Sequence, residues 1–283
     1  MKSNNSRIVM VLGWLALLGS VGLFCLQAGY FLIHHRYQVE YVDNRLFYFI
    51  NILVVVLLLL SLLLLLRLSG KVRRLIIGIV VIFILVNSVL MQLSQQHTQN
   101  IISLSPNSEN ILVVKQDQEQ REAIYYRTQY YIFARPHQRL PKQVQGQYKI
   151  DWLTEDVVAV TYQTKTGSVE QFVGTYGDRG DGISYYEVGM QIQGEWAGED
   201  TRAIVGQEGI EIECQQQSQW FDWDDVVQFG TLAIVLFDQD EPAWTIVLNE
   251  GYQIYDAENN PPEGEITLYQ VTMEEHQPFI LKP

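Results

Sequence analysis

The sequence is poor in cysteine, with only Cys25 and Cys214 among 283 residues. Cys25 lies inside the first apolar run, so we expect the membrane to separate it from Cys214. No disulfide framework is therefore expected. This absence is compatible with an exported domain whose core is large enough to fold without cross-links.

Catalytic and metal-binding motifs are also lacking. The five histidines, at positions 34, 35, 97, 137 and 276, do not have the spacing of metal ligands. No HExxH, CxxC, GxSxG or phosphate-binding glycine loop occurs. The sequence therefore predicts no metal site, no nucleophilic catalysis and no cofactor, and we expect that the protein is not an enzyme.

Three long runs lack charge altogether, at about 8–33, 46–66 and 75–93. A run of 21 apolar residues at about 1.5 Å per residue crosses a hydrocarbon core of about 30 Å. The first run is too long for a signal peptide, and bulky Leu26 stands where cleavage after Ala28 would need a small residue. We therefore predict three retained transmembrane helices within a membrane domain at 1–95. Their uncharged middles argue against an ion pathway, so a transporter component is only an alternative.

The basic residues predict the orientation of these helices. Six Lys or Arg lie near one set of helix ends (2, 7, 67, 71, 73, 74) and two near the other (36, 45). Because cytoplasmic loops carry the excess of positive charge, the amino terminus should be cytoplasmic. Three spans then place the carboxyl-terminal domain outside a plasma membrane.

One amide side chain in each span falls at a similar depth, about 8–9 Å below the outer surface by helical rise. These residues are Gln27, Asn51 and Asn87. They are expected to hydrogen-bond across a three-helix bundle. A polar seat for a partner helix or a small ligand is the alternative.

The part after the helices has the pattern of an all-β domain. Residues 96–106 are polar and are interpreted as a linker, and 107–283 as an antiparallel β domain, either a sandwich or a partial barrel. Apolar and acidic residues alternate along 210–214, as in a half-solvated sheet. Hairpins are predicted at 157–176 and 232–248, and a short helix near 220–229. Other candidate strands include 111–115, 123–133, 147–152, 184–193 and 265–272.

Charge is distributed unevenly along the chain. Residues 1–95 carry a net charge of +6 and residues 96–283 one of −19. Within the β domain, 121–149 carry +5 and 150–283 carry −22. The basic segment either pairs with acids of the same domain or contacts anionic lipid headgroups. The acidic remainder would be repelled by nucleic acid, so no nucleic-acid partner is expected.

Three acidic groups are weighed as binding residues. Asp178 and Asp181 lie in a loop with three glycines, which is interpreted as a tight turn, with a cation site as the alternative. Asp222, Asp224 and Asp225 lie beside tryptophans, and a second acidic cluster at 238–241 precedes Trp244. Carboxylates beside aromatic rings are typical of carbohydrate-binding or glycoside-hydrolysing sites. In so acidic a domain, close pairs of acids around core tryptophans are expected by chance, and this is the favoured explanation.

Two segments, Asp151-Trp-Leu-Thr-Glu-Asp156 and Thr175-Tyr-Gly-Asp-Arg-Gly-Asp-Gly-Ile-Ser-Tyr-Tyr186, carry a resemblance. Around them, over about residues 105–196, the chain resembles a family of uncharacterised multi-span membrane proteins of low-GC Gram-positive bacteria. The resemblance implies a bacterial plasma membrane and no activity.

The interpretation as a whole is a membrane-anchored extracytoplasmic module that binds or interacts without catalysis, as an accessory subunit, sensor or surface protein. Its partners would be the lipid bilayer and a membrane protein or envelope component. The alternative from another class is an envelope carbohydrate hydrolase that uses paired carboxylates.

Overall fold

The computed structural model describes residues 2–177, 179, 186–253 and 263–283, with side chains from residue 7 onward. Two compact units divide the chain. The first unit consists of Met1–Ile102, Val113–Gln120 and Ile124–Gln138, and the second of Ser103–Leu112, Arg121–Ala123 and Arg139–Pro283.

Three long helices begin the first unit: α1 (Lys2–Tyr37), α2 (Arg45–Leu65) and α3 (Gly70–His97). Each is long and apolar enough to cross a membrane, which confirms the three predicted spans. Most large apolar side chains of these helices are exposed in the protein alone. Their apolar surface is suited to lipid, since water would disfavour so much exposed hydrocarbon.

Small residues let α1 and α2 pack closely. A Cβ atom on Gly13 would lie 2.7 Å from the Leu65 side chain, so a larger residue at this crossing would require Leu65 to move. Two turns farther along α1, the Ser20 hydroxyl donates to the Val54 carbonyl oxygen at 2.9 Å. At the other connection, Ser69 caps α3 by accepting from the Val72 N–H at 3.5 Å.

A five-stranded antiparallel sheet follows the helices, in the order β1-β5-β4-β3-β2. Its strands are β1 (Glu40–Tyr41), β2 (Thr98–Leu104), β3 (Ile111–Asp117), β4 (Ala123–Gln129) and β5 (Phe133–Arg139). The edge strand β1 belongs to the short connection between α1 and α2. It pairs with β5 through Glu40 opposite Ala134 and Tyr41 opposite Phe133. The connection between two membrane helices is thus part of the sheet.

Two stretches of this sheet differ from the sequence-based expectation. Within 96–106, which was interpreted as a linker, strand β2 forms the polar edge of the sheet. The single strand predicted over 123–133 is wrong, because the chain reverses at Tyr130 and Tyr131 between β4 and β5. Both residues have positive φ, 54° and 61°. Such turns usually carry Asn or Gly, and no such residue marks this one.

The described residues of the second unit form three antiparallel sheets. The first consists of β6 (Val144–Trp152), β7 (Val157–Thr164) and β8 (Val169–Thr175). The second consists of β9 (Gly194–Ala197), β10 (Thr201–Val205), β11 (Gly209–Cys214) and β12 (Gln217–Asp222). The third consists of β13 (Val226–Phe229), β14 (Ala233–Asp238), β15 (Glu241–Leu248), β16 (Ile266–Gln270) and β17 (Phe279–Leu281).

The β13–β17 sheet is covered on both faces. One face packs with β9–β12 around fully buried Trp196, and Ile234 and Ile246 contribute to that core. The other face packs with β7 and β8, where Val235 and Val247 enter a second core. Because both faces are buried, β14 and β15 have near-continuous apolar sequences. The predicted all-β architecture is therefore a three-layer sandwich.

Local patterning was a good guide in this unit. Both predicted hairpins are confirmed, as β7–β8 and β14–β15. The alternation over 210–214 is also confirmed, since Ile210 and Ile212 are buried and Glu211 and Glu213 are not. A short 3-10 helix occupies Trp223–Asp225. The strand predicted over 184–193 is wrong for its described residues, because a short helix, α4 (Val188–Gln191), stands there.

A buried ion pair, Asp156–Arg179, links the start of β7 to the end of β15 through the hydrogen bonds of Arg179. The guanidinium of Arg179 donates to both carboxylate oxygens of Asp156, at 2.5 and 2.9 Å. It also donates to the carbonyl oxygens of Leu248, at 2.9 Å, and Asn249, at 2.7 Å. Burial raises the pKa of the Asp156 carboxyl, but the hydrogen bonds and charge of Arg179 outweigh it and hold the pKa below its usual value.

Replacing Arg179 by glutamine should therefore destabilise the second unit. We expect R179Q to lower the free energy of unfolding by about 3–5 kcal/mol at neutral pH, because a buried carboxylate loses its partner. The deficit should shrink below about pH 4, where protonation of Asp156 removes the unpaired charge. The measurement is chemical unfolding of the full chain in micelles, followed by tryptophan emission at several pH values.

The matched control is R202Q, which removes an exposed arginine that pairs with Glu195. Its cost should be about 1 kcal/mol or less. Equal losses from R179Q and R202Q would contradict the assignment of the Asp156–Arg179 pair as a structural tie.

Candidate functional site

The second unit contains a cleft of about 700 Å³, which we call the Trp223 cleft. It lies where α4, the 3-10 helix and the edge strand β13 meet. Its lining residues are Glu187, Gly189, Met190, Gln193, Gln207, Trp223, Val226, Gln228 and Ile234. The volume is that of a site for a small molecule or a few residues of a polymer.

Trp223 is held in the cleft from two sides. Its indole N–H donates to the carbonyl oxygens of Gly206, at 3.2 Å, and Gln207, at 3.1 Å. On the other side its ring lies against the backbone of α4, since a Cβ on Gly189 would meet the ring at 2.4 Å. Gly189 is therefore required for the position of the indole ring.

The amide of Gln228 fixes the wall of the cleft. Its oxygen accepts from the Val188 N–H at 2.9 Å, and its nitrogen donates to Tyr186 and Gly230 carbonyl oxygens at 2.7 and 2.8 Å. This side chain is committed to holding α4 beside β13. The amide of Gln193, another lining residue, donates to the Gly189 carbonyl oxygen at 3.1 Å.

The lining of the cleft is almost entirely uncharged. It combines one aromatic ring and aliphatic side chains with three amides and a single carboxylate, that of Glu187. None of the nine lining residues is Lys, Arg or His. Amides supply both donors and acceptors, so this cleft is suited to hydroxyl or amide groups rather than to anions.

The acids proposed from the sequence do not line this cleft. Asp222, Asp224 and Asp225 are exposed, and Asp222 accepts a hydrogen bond from the exposed Trp220 at 3.0 Å. Trp244 is buried in the core, with 4% exposure. Hydrolysis by paired carboxylates needs two acids that face each other across the substrate. The lining of the cleft offers Glu187 alone.

Asp178 and Asp181, the residues of the proposed cation loop, lie outside the described residues. Over the described ranges, no group of three or more His, Cys, Asp or Glu is arranged to hold a metal ion.

The amides of the membrane helices are found in two places. The Gln27 amide donates to the Asn51 side chain at 2.9 Å and to the Phe47 carbonyl oxygen at 2.8 Å. Its oxygen accepts from the Tyr41 hydroxyl at 2.8 Å, so strand β1 joins this network. Asn87 is buried but donates along its own helix, to the Phe83 carbonyl oxygen at 3.0 Å. The network therefore connects α1, α2 and β1.

An aromatic cavity of about 290 Å³ lies beside this network in the first unit. Its lining residues are Tyr30, Phe31, His34, Glu40, Tyr41, Asn44, Phe47, Tyr48 and Ser94. Burial, with a smaller contribution from neighbouring Tyr30, raises the pKa of Tyr41 to about 12, so its hydroxyl stays a hydrogen-bond donor at neutral pH.

Lys115 is the most enclosed charged group of the first unit. Its ammonium donates to the Glu40 carboxylate, the Tyr41 carbonyl oxygen and the Asn44 side chain, each at 2.7 Å. It also lies 4.9 Å from the centre of the Tyr126 ring. Burial lowers the pKa of Lys115, and the charge of Glu40 opposes that shift without cancelling it. All three donors of the ammonium are used, so this is a structural tie between β3 and the α1–α2 connection.

The basic segment 121–149 separates into two groups. Arg139 pairs with Glu122 at 2.9 Å, Lys142 pairs with Glu170, and buried Lys149 donates to the Thr272 carbonyl oxygen at 3.2 Å. Arg127 and Arg135 on the β4–β5 hairpin form no ion pair within the described part of the chain. Pairing with the protein's own acids thus accounts for some of these bases only.

Several functional residues were not identified from the sequence. Glu187, Gly189, Met190 and Gln193 belong to a stretch whose alternating pattern favoured a strand, so their convergence on Trp223 was hidden. The one available signal for Lys115 was a lysine that directly follows the apolar run at 111–114. Its partners lie about 75 residues away, and nothing local indicates them.

Comparisons with known proteins found no counterpart: no protein-family model matches the chain, no curated protein matches it, and no solved structure matches its fold. The site must therefore be interpreted from its own geometry.

Replacing Lys115 by methionine should loosen the sheet of the first unit. We expect K115M to cost roughly 3 kcal/mol, because Glu40, Asn44 and a backbone carbonyl lose their shared donor. The measurement is hydrogen exchange of strands β3 and β4 in the full chain. A K115M/E40Q double variant should recover part of the loss, since it removes the uncompensated carboxylate.

The control is K165M, which changes an exposed lysine in the β7–β8 turn. If the amides of β3 and β4 exchanged no faster in K115M than in K165M, the hydrogen bonds of Lys115 would not stabilise this sheet.

Proposed function

We propose that this protein is a non-enzymatic, membrane-anchored binding module whose binding site is the Trp223 cleft. The observation that supports the proposal is the preformed cleft itself, with one immobilised indole ring, amide groups and a single carboxylate. Such a lining binds and orients a ligand, and it lacks the second acid or base that most hydrolytic mechanisms require. The anchor keeps the site close to a membrane, as in an accessory subunit, a sensor or a surface protein.

The ligand that best fits this lining is an uncharged, hydroxyl-rich molecule such as a segment of a neutral sugar chain. Trp223 offers an aromatic face for the C–H groups of a sugar ring. Gln193 and Gln207 offer amide groups for hydroxyls, and Glu187 offers an acceptor. The net charge of −22 over 150–283 disfavours polyanions. A neutral envelope component is therefore the proposed partner class.

For the orientation, we propose that the amino terminus and the α2–α3 connection are cytoplasmic and that both β-rich parts are outside. The support is the exposed cluster of Arg67, Lys71, Arg73 and Arg74 at that connection. The resemblance of 105–196 to membrane proteins of low-GC Gram-positive bacteria supports a bacterial plasma membrane as the location.

Binding is tested with the full chain in lipid nanodiscs, by calorimetric titration with a panel of neutral tetrasaccharides built from glucose or N-acetylglucosamine. We expect saturable binding of at least one of them. Trp223→Ala should weaken binding by about tenfold, the equivalent of about 1.4 kcal/mol, because the aromatic face is lost. Gly189→Ala should weaken it similarly, because the new Cβ displaces the indole ring.

Trp220→Ala is the matched control, because Trp220 is 52% exposed but does not line the cleft. It should bind like the wild type. Absence of binding to every tetrasaccharide, or equal weakening by Trp220→Ala and Trp223→Ala, would contradict the assignment of this cleft to neutral sugars.

Orientation is tested by labelling intact cells with a membrane-impermeant maleimide, after Cys25 and Cys214 have been replaced. A cysteine at exposed Ser218 should be labelled in sealed cells. One at exposed Ser69, in the α2–α3 connection, should be labelled only after lysis. The opposite result would invert the proposed topology.

A further inference from the structure

The tip of the β4–β5 hairpin exposes an unusual group of apolar side chains. Tyr130 is 85% exposed, Tyr131 70% and Ile132 37%. Both tyrosines occupy the two central positions of the turn with positive φ. Bulky residues are uncommon in that conformation, which Asn and Gly adopt at lower cost. Asn or Gly would form this turn at lower cost, so the turn itself does not explain why two exposed tyrosines stand here.

This tip belongs to the same unit as the membrane helices. The Val42 N–H donates to the Ile132 carbonyl oxygen at 2.9 Å, three residues before Arg45 begins α2. The next residue, Phe133, stacks against Tyr30 of α1, with ring centres 6.4 Å apart. Tyr30 lies inside the first apolar run, seven residues before the end of α1 at Tyr37.

Chain geometry then limits how far the tip can lie from the membrane-spanning helices. Phe133 is two positions after Tyr131, so their Cα atoms are at most about 7.6 Å apart. The tip is therefore tied through Phe133 to the level occupied by Tyr30 and by Phe47 of α2, whose ring centre is 6.0 Å from that of Tyr30. This level is the end of the hydrocarbon-facing part of both helices.

Tyrosine has a specific preference for that level. Its ring is apolar and its hydroxyl is polar, so it partitions into the headgroup region at either side of a bilayer. The arginines of the same hairpin add electrostatic complementarity. Arg127 and Arg135 are exposed and form no ion pair within the described ranges, whereas Arg139, farther along the same strand, pairs with Glu122. Basic side chains at a membrane surface attract lipid phosphates.

We infer that the β4–β5 hairpin is a membrane-docking element that inserts the Tyr130–Tyr131 tip into the headgroup region of the bilayer, with Arg127 and Arg135 directed to lipid phosphates. The partner is the lipid surrounding the protein's own helices. The inference does not depend on which side of the membrane the sheet occupies, nor on the ligand of the Trp223 cleft.

The test places an environment-sensitive fluorophore on Tyr131→Cys in the full chain, after replacement of Cys25 and Cys214. The protein is reconstituted in nanodiscs of phosphatidylcholine that carry a spin-labelled quencher near the headgroup or at the chain end. We expect the headgroup quencher to remove about half of the emission, and the chain-end quencher to remove much less, as for an interfacial residue.

The matched control is the same fluorophore on Gln239→Cys. Gln239 and Asp240 form the turn between β14 and β15, also with positive φ values, of 50° and 67°, and both are polar and exposed. Little quenching is expected there. Equal quenching at positions 131 and 239, or none at 131, would overturn the inference.

A second measurement addresses the arginines. In nanodiscs of equal parts phosphatidylcholine and phosphatidylglycerol, quenching at position 131 should exceed that in phosphatidylcholine alone. Arg127→Gln/Arg135→Gln should abolish this difference and leave the quenching in phosphatidylcholine in place. A lipid dependence that survived the double substitution would show that these arginines do not bind lipid phosphates.

Discussion

The buried ammonium group of Lys115 is the interaction on which the first unit depends. A lysine loses much solvation when it is enclosed, and it is stable there only if its donors are all used. Glu40, Tyr41 and Asn44 use them, and all three belong to the seven residues that connect α1 and α2. A connection that local sequence would leave as a loop is thereby built into a sheet. The membrane hairpin and the sheet form one structure for this electrostatic reason.

The same connection also reaches into the membrane. The Tyr41 hydroxyl donates to Gln27, and the Gln27 amide donates to Asn51, so hydrogen bonds pass from the sheet to α1 and α2. Polar groups at this depth are costly without partners, and here they supply each other's. Aromatic rings of Tyr30, Tyr41 and Phe133 fill the space around the network. The end of the α1–α2 hairpin is therefore held by hydrogen bonds and aromatic packing.

In the second unit, the Trp223 cleft is formed on an all-β scaffold. Its central sheet is buried on both faces, which provides the rigid part of the structure. The cleft lies at the edge of that sheet, where β13 would otherwise be exposed. Gln228 and Gly189 hold α4 and Trp223 there, one by hydrogen bonds and the other by having no side chain. The residues that line the cleft are thus placed on a short helix and a turn beside a buried core.

The sequence by itself determined the three membrane helices, the all-β class of the rest, the two hairpins and the half-solvated strand at 210–214. Each depends on local features: the length of an uncharged run, or a period of two residues. Tertiary structure decided the pairing of β1 with β5, the turn at Tyr130, the tie at Lys115 and the convergence of Glu187 and Gly189 on Trp223. These depend on contacts between residues distant in sequence, whose energies no local pattern records.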